Sequence, residues 1–155
     1  MERRLSPVMW VPPPLFYVVS FLIGFEAQRL TTFKALKLPF PAGLLGLAFI
    51  ALGVSCTFGS ALLFLLRRTT LVPHGRPSRL VLSGAYRFSR NPMYLGLGLL
   101  YVGIALRLDG LLPLCLLPLP ILLMDRVVIP FEEAELRRTR GAEYEEYCGR
   151  VRRWI

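Results

Sequence analysis

The chain is poor in the residues that build metal and disulfide sites. His74 is its one histidine, and its three cysteines, Cys56, Cys115 and Cys148, are far apart, two of them inside apolar runs. No spacing suits a metal ion, which needs about four clustered ligands, so no metal is expected. Three scattered cysteines likewise argue against a disulfide framework. Acidic residues are scarce, ten against nineteen basic ones, and six of the ten fall between Glu132 and Glu146. A net charge of +9 is common in nucleic-acid binders, but here the basic residues lie beside long apolar runs. There they orient helices and meet anionic lipid head groups, so no nucleic-acid partner is expected. Nothing points to an obligate protein partner, and no internal repeat or low-complexity tract is present.

Four stretches contain no charged residue: 5–25, 38–66, 91–106 and 110–124. The chain is 54% hydrophobic, and its mean hydropathy of +0.52 is too high for a soluble domain of 155 residues. About 20 apolar residues cross a bilayer as a helix. The first two stretches are long enough, and Arg107 and Arg126 can extend the shorter pair by snorkelling. The expectation is one all-α membrane domain over residues 1–155, a bundle of four transmembrane helices followed by a C-terminal helix. Residues 1–66 would hold the two N-terminal membrane helices. Residues 67–155 would hold a cofactor-binding loop, a helical hairpin and the last helix.

Alternate loops of a four-span protein share a side. Fifteen of the nineteen basic residues then fall on one side, with both termini and the loop 67–90. The positive-inside rule places that side in the cytoplasm. The two arginines and apolar run at the start mimic a signal peptide, but Pro12-Pro13-Pro14 interrupts it and no small-residue cleavage site precedes Glu26. A retained first helix of about 14–28 is expected.

Pro39 and Pro41 bracket the start of the second helix, where Gly43, Gly46, Gly53 and Gly59 read as close-packing positions. The loop that follows contains a dense turn signal at Pro73–Ser78, while its apolar Leu80-Val81-Leu82 suits a membrane surface. Asn91-Pro92 is a helix start, with asparagine as the cap and proline at the first helical position. Only Leu108-Asp109-Gly110 separates the third and fourth spans, which must form a tight antiparallel hairpin. Pro113, Pro118 and Pro120 should kink the fourth. From Pro130 the pattern becomes amphipathic, with Phe131, Leu136, Tyr144 and Tyr147 at helical spacing and a break near Gly141.

Three motifs occur in order. Leu80-Val81-Leu82-Ser83-Gly84-Ala85-Tyr86 is followed by Arg90-Asn91-Pro92-Met93-Tyr94-Leu95-Gly96. After the hairpin come Glu132-Glu133-x-x-Leu136 and Gly141-x-x-Tyr144-x-x-Tyr147-x-x-Arg150-Val151. Over roughly residues 69–155 this resembles the membrane methyltransferases that include isoprenylcysteine carboxyl methyltransferase and the phospholipid N-methyltransferases. The resemblance implies S-adenosyl-L-methionine as cofactor, held at the cytoplasmic side by Leu82, Ser83, Gly84, Tyr86, Asn91, Tyr94, Glu132 and Glu133. Carboxylates can accept from its amino group or ribose hydroxyls, helix-start N–H groups can receive its carboxylate, and tyrosines can stack on adenine. Arg90 and Arg150 match family arginines near the acceptor and would hold an acceptor carboxylate during transfer. For a thiol or amine acceptor the candidate bases are Glu132, Glu133 or bulk water. Position 91 departs from the family's usual histidine, and asparagine cannot titrate near neutrality.

The implied function is methyl transfer to a lipophilic or membrane-resident acceptor, with a carboxylate of isoprenylcysteine type leading. A phospholipid amine and a small thiol are the alternatives. A nicotinamide-dependent protein like the sterol reductases and a non-catalytic membrane subunit are the rival readings.

Overall fold

The computed structural model describes residues 11–31, 42–66 and 81–155. The expected starts at Pro39 and Pro41, the Pro73–Ser78 turn and Arg3, Arg4, Arg67, Arg68, Arg76 and Arg79 lie outside these residues. Among the described residues there are helices and no strands. α1 spans Pro13–Leu30 and α2 Ala42–Leu66. A short 3-10 turn at Gly84–Arg87 precedes α3, Pro92–Arg107. A continuous helical rod follows, made of α4 (Leu111–Leu116), α5 (Pro118–Leu123), a π-turn (Met124–Val128) and α6 (Ile129–Arg140). α7 is Ala142–Arg150.

Two helices are long and apolar enough to cross a membrane: α2, over Ala42–Leu63, and the rod, over Leu111–Arg140. α1 has 18 residues but includes Glu26 and Arg29, and α3 has 16. The prolines of the rod do not end it. They leave a one-residue break at Leu117, whose backbone remains helical.

α2 runs antiparallel to α3, and glycine makes the fit possible. Gly46 faces Gly103 and Gly53 faces Gly96. A Cβ on Gly46 would lie 2.8 Å from the Gly103 carbonyl oxygen, and one on Gly53 would lie 2.7 Å from that of Gly96. Backbones this close bring Cα–H groups and carbonyls within reach of one another, a kind of contact that favours such helix pairs. The packing role expected for Gly46 and Gly53 is therefore present, whereas a Cβ on Gly59 would meet nothing within 4 Å.

The α3–α4 hairpin forms as expected, and α1 packs along α4. Asp109, whose short polar side chain tolerates a left-handed backbone, makes the turn at φ 50°. The Tyr101 hydroxyl donates to the Pro113 carbonyl at 2.8 Å, bracing the hairpin. Gln28 binds the turn from α1: its Nε2 donates to the Asp109 carbonyl at 2.7 Å, and its Oε1 accepts from the Leu112 N–H at 2.9 Å. At the opposite end Tyr17, Tyr101, Met124, Val128 and Ile129 form a buried cluster, with Trp154 packed against it. Large apolar side chains point outward along the bundle, among them Leu22, Ile23, Leu52, Phe58, Leu119 and Leu122. An apolar surface of this extent suits lipid or a partner, not water.

Candidate functional site

The end of the bundle opposite the Gln28–Asp109 contact gathers the sequence motifs. Gly84 begins the 3-10 turn at φ +62°, where an L side chain would be strained. A Cβ there would also lie 2.6 Å from Leu63 Cδ1 at the end of α2. Tyr86, buried in this turn, accepts the Tyr147 hydroxyl on its backbone carbonyl at 2.7 Å. Both phenols are withdrawn from water. Burial raises the pKa of each, with Tyr147 pushed up to about 12, so both remain protonated donors at neutrality. Leu82 is exposed, and Ser83 sits half-buried beside it.

Asn91 occupies the cap position of α3 and Pro92 follows at the first helical position, as expected. The Asn91 side chain, however, makes no cap hydrogen bond. Its Nδ2 donates instead to the Arg153 carbonyl at 3.0 Å, and its own N–H donates to Ser89 Oγ at 3.1 Å. The capping expectation is thus corrected: the amide is engaged by a strand of chain 62 residues away. The first turn of α3 still presents the backbone N–H groups of Met93 and Tyr94, which have no carbonyl a turn earlier to bind.

Glu132 and Glu133 lie side by side on α6 in opposite settings. Glu133 is 4% exposed. Arg153 grips it with two hydrogen bonds, Nε to Oε1 at 3.1 Å and Nη2 to Oε2 at 2.8 Å. Arg90 and Arg137 stand at 3.5 and 3.8 Å from its oxygens. A carboxylate this deep is tolerable because it is paired and hydrogen-bonded. Glu132 is half-buried and accepts the Tyr94 hydroxyl at 2.7 Å. Among the described residues no cation comes within ion-pair distance of it. A carboxylate without a counter-charge beside a phenol, near helix-start N–H groups, suits a ligand that brings a positive charge and hydroxyl donors.

The two candidate arginines separate. Arg90 is at the cluster, bonded through Nη1 to Cys148 Sγ and paired with Glu133. Arg150 is 63% exposed and pairs with Glu146 one turn back at 3.3 Å, away from the glutamates. The residue that grips Glu133 most closely is Arg153, which no motif singled out. Asp125 was also missed. In the π-turn it accepts from Arg153 Nη1 at 3.3 Å and from Trp154 Nε1 at 3.0 Å. Local spacing carries no trace of these contacts, since Val151 leaves the helix in extended conformation and the segment doubles back. Among the described residues, no group of three metal-ligating side chains is present.

A family model described as phospholipid methyltransferase matches residues 42–142, from the first residue of α2 to the start of α7. The chain belongs to the phospholipid methyltransferase family. The match takes in α2 as well as the loop, hairpin and glutamates. No curated protein and no solved structure matches the chain.

Proposed function

We propose that this phospholipid methyltransferase family member transfers the methyl group of S-adenosyl-L-methionine to a lipophilic acceptor at the cytoplasmic face of a membrane. The observation that carries the reading is Glu132. It is a partly buried carboxylate that, among the described residues, has a phenol as its one hydrogen-bond partner and no cation within ion-pair distance. When bound, the cofactor supplies a methyl group on a sulfonium, an activated leaving group that asks no metal of the protein. Glu132 would accept from its amino group or ribose hydroxyls, with Tyr94 holding the carboxylate in place. The N–H groups of Met93 and Tyr94 would receive its carboxylate. Alignment of donor and acceptor is the chief task left, worth about 7–11 kcal/mol when complete.

Four membrane crossings fit the packing. α3 packs on α2 and α1 packs on the rod, and α1 turns Val18, Leu22 and Ile23 outward. The 30-residue rod is about 45 Å long, against about 30 Å of hydrocarbon, so its last turns would emerge near the glutamates. The glutamate end carries Arg87, Arg90, Arg126, Arg137, Arg138, Arg140, Arg150, Arg152 and Arg153. The far end carries Arg29 and Arg107. That asymmetry supports a cytoplasmic site and cytoplasmic ends.

An acceptor carboxylate of isoprenylcysteine type would need a free arginine. Arg90 and Arg150 are both in ion pairs, and this favours a second reading, an amine on a phospholipid head group. Calorimetric titration of detergent-purified protein with S-adenosylhomocysteine tests the cofactor. Micromolar binding, weakened in Glu132→Gln, supports the proposal; a folded wild type that does not bind it refutes it. Transfer of labelled methyl to isoprenylcysteine, phosphatidylethanolamine or a thiol then separates the acceptors.

A further inference from the structure

The segment after α7 touches the entry of α3, the π-turn and α6. The Arg152 carbonyl accepts from the Arg90 N–H at 3.0 Å. The Arg153 carbonyl accepts from Asn91 Nδ2 at 3.0 Å and Ser89 Oγ at 3.3 Å. The Arg153 guanidinium spans Glu133 on α6 and Asp125 in the π-turn, and Trp154 adds its indole N–H to Asp125. Three consecutive residues, Arg152, Arg153 and Trp154, thereby join the entry of α3 to the rod.

We infer that Arg153 is the positioning residue of the methyl-transfer site. Its side chain claims Glu133, so that of two adjacent carboxylates one alone is left for a ligand. Its main chain sets the loop 89–91 against that arrangement. Arg153 makes both of Glu133's hydrogen bonds; Arg90 and Arg137 stand farther off. Without the guanidinium, Glu133 would be a second incompletely neutralised carboxylate beside Glu132. It would repel that neighbour and compete with it for a cationic ligand. The arginine fork fits this task and an ammonium does not, because it satisfies both carboxylate oxygens and reaches Asp125 as well.

The inference rests on the methyltransferase reading, and the test keeps the two apart. Arg153→Ala should raise the cofactor KM and the S-adenosylhomocysteine dissociation constant about tenfold, the size of one lost charge-assisted hydrogen bond. Turnover at saturating cofactor should stay within about twofold, because Arg153 touches neither reactant. Arg153→Lys should recover part of the affinity. Arg138→Ala, which removes an exposed arginine paired with Glu135, should change neither value. In a Trp10→Phe background, acrylamide quenching of Trp154 reports docking of the segment directly. It should rise in Arg153→Ala and Asp125→Ala. If Arg153→Ala fails to fold, Arg153→Lys and Asp125→Ala carry the same comparison. Lowered turnover with unchanged affinity, or wild-type affinity with quenching unchanged, would overturn the assignment. A wild type that does not bind S-adenosylhomocysteine would overturn the methyltransferase reading and with it this role, while the quenching result would still show whether the clasp exists.

Discussion

The Tyr94 hydroxyl donates to Glu132 at 2.7 Å across 38 residues of chain, joining the first turn of α3 to the first turn of α6. One residue further along α6, Glu133 turns to three arginines. The hairpin between these helices is what brings phenol and carboxylate together.

Glu132→Gln keeps an acceptor for the Tyr94 hydroxyl but can no longer carry a charge when a cationic ligand arrives. We expect cofactor affinity to fall by about 1.5–3 kcal/mol, or roughly 10–100-fold, with a thermal midpoint near that of the wild type. Calorimetry beside a melting curve checks both. An unchanged dissociation constant would remove Glu132 from the site.

Glu133→Gln should behave in the opposite way. It leaves Arg90 and Arg153 around a neutral group at a buried position, and breaking one side of a buried pair costs about 3–5 kcal/mol. Arg153 is partly exposed, which lowers that figure towards its lower end. A clear drop in the thermal midpoint of detergent-solubilised protein is the expected outcome.

Much of this frame is legible in the chain itself. The hairpin follows from a three-residue connection, and the break between α6 and α7 falls at Gly141, whose φ is +49°. Gly46 and Gly53 were readable as packing positions, although their partners on α3 were not. The acidic pair was legible as a site candidate, but its division of labour was not. Which glutamate is neutralised depends on Arg153, 20 residues away in sequence and beyond the end of a helix. Arg150 stood at the motif position, yet its nearest opposite charge is Glu146, four residues back on its own helix. Gln28 gave no signal either, since a lone amide in an apolar helix shows its use only when a turn 81 residues away is placed against it.

Gly96→Ala should separate α2 from α3. The added Cβ would collide with Thr57 Oγ1 and stand 2.9 Å from the Gly53 carbonyl oxygen, neither of which is the end of a long side chain. Overpacking of this kind costs about 1–3 kcal/mol. Gly59→Ala, with open space around it, serves as the control and should leave the melting temperature unchanged.

Alkaline pH should loosen the site end. Tyr86, Tyr144 and Tyr147 all have folded-state values raised by burial. Their contribution is constant below an unfolded value of about 10 and is lost as the unfolded chain ionises above it. For Tyr147 the loss accumulates between about pH 10 and the folded value of about 12. Circular dichroism against pH should be flat through neutrality and fall above pH 10. Tyr147→Phe should make the fall shallower while lowering stability at pH 7, since the Tyr86 carbonyl loses its donor.

Labelling of single cysteines in sealed vesicles tests the orientation. Asp109→Cys should react with an impermeant maleimide from outside the cell-derived membrane. A cysteine at Arg150 should react only after permeabilisation. The reverse pattern would invert the topology.

The π-turn at Met124–Val128 includes a hydrogen bond of wider ring size, from the Ile129 N–H to the Met124 carbonyl. Such a turn is an α-helix that has absorbed one extra residue. It behaves as a splice: removing a single residue within it would restore an ordinary helix and leave everything downstream in phase. Removing a residue just after it, between Ile129 and Phe131, has no such slack to consume. The remaining turns would rotate by about 100°, and Glu132 and Glu133 would no longer face their separate partners. Tolerance to deletion should therefore change abruptly within a few residues, on the two sides of Val128.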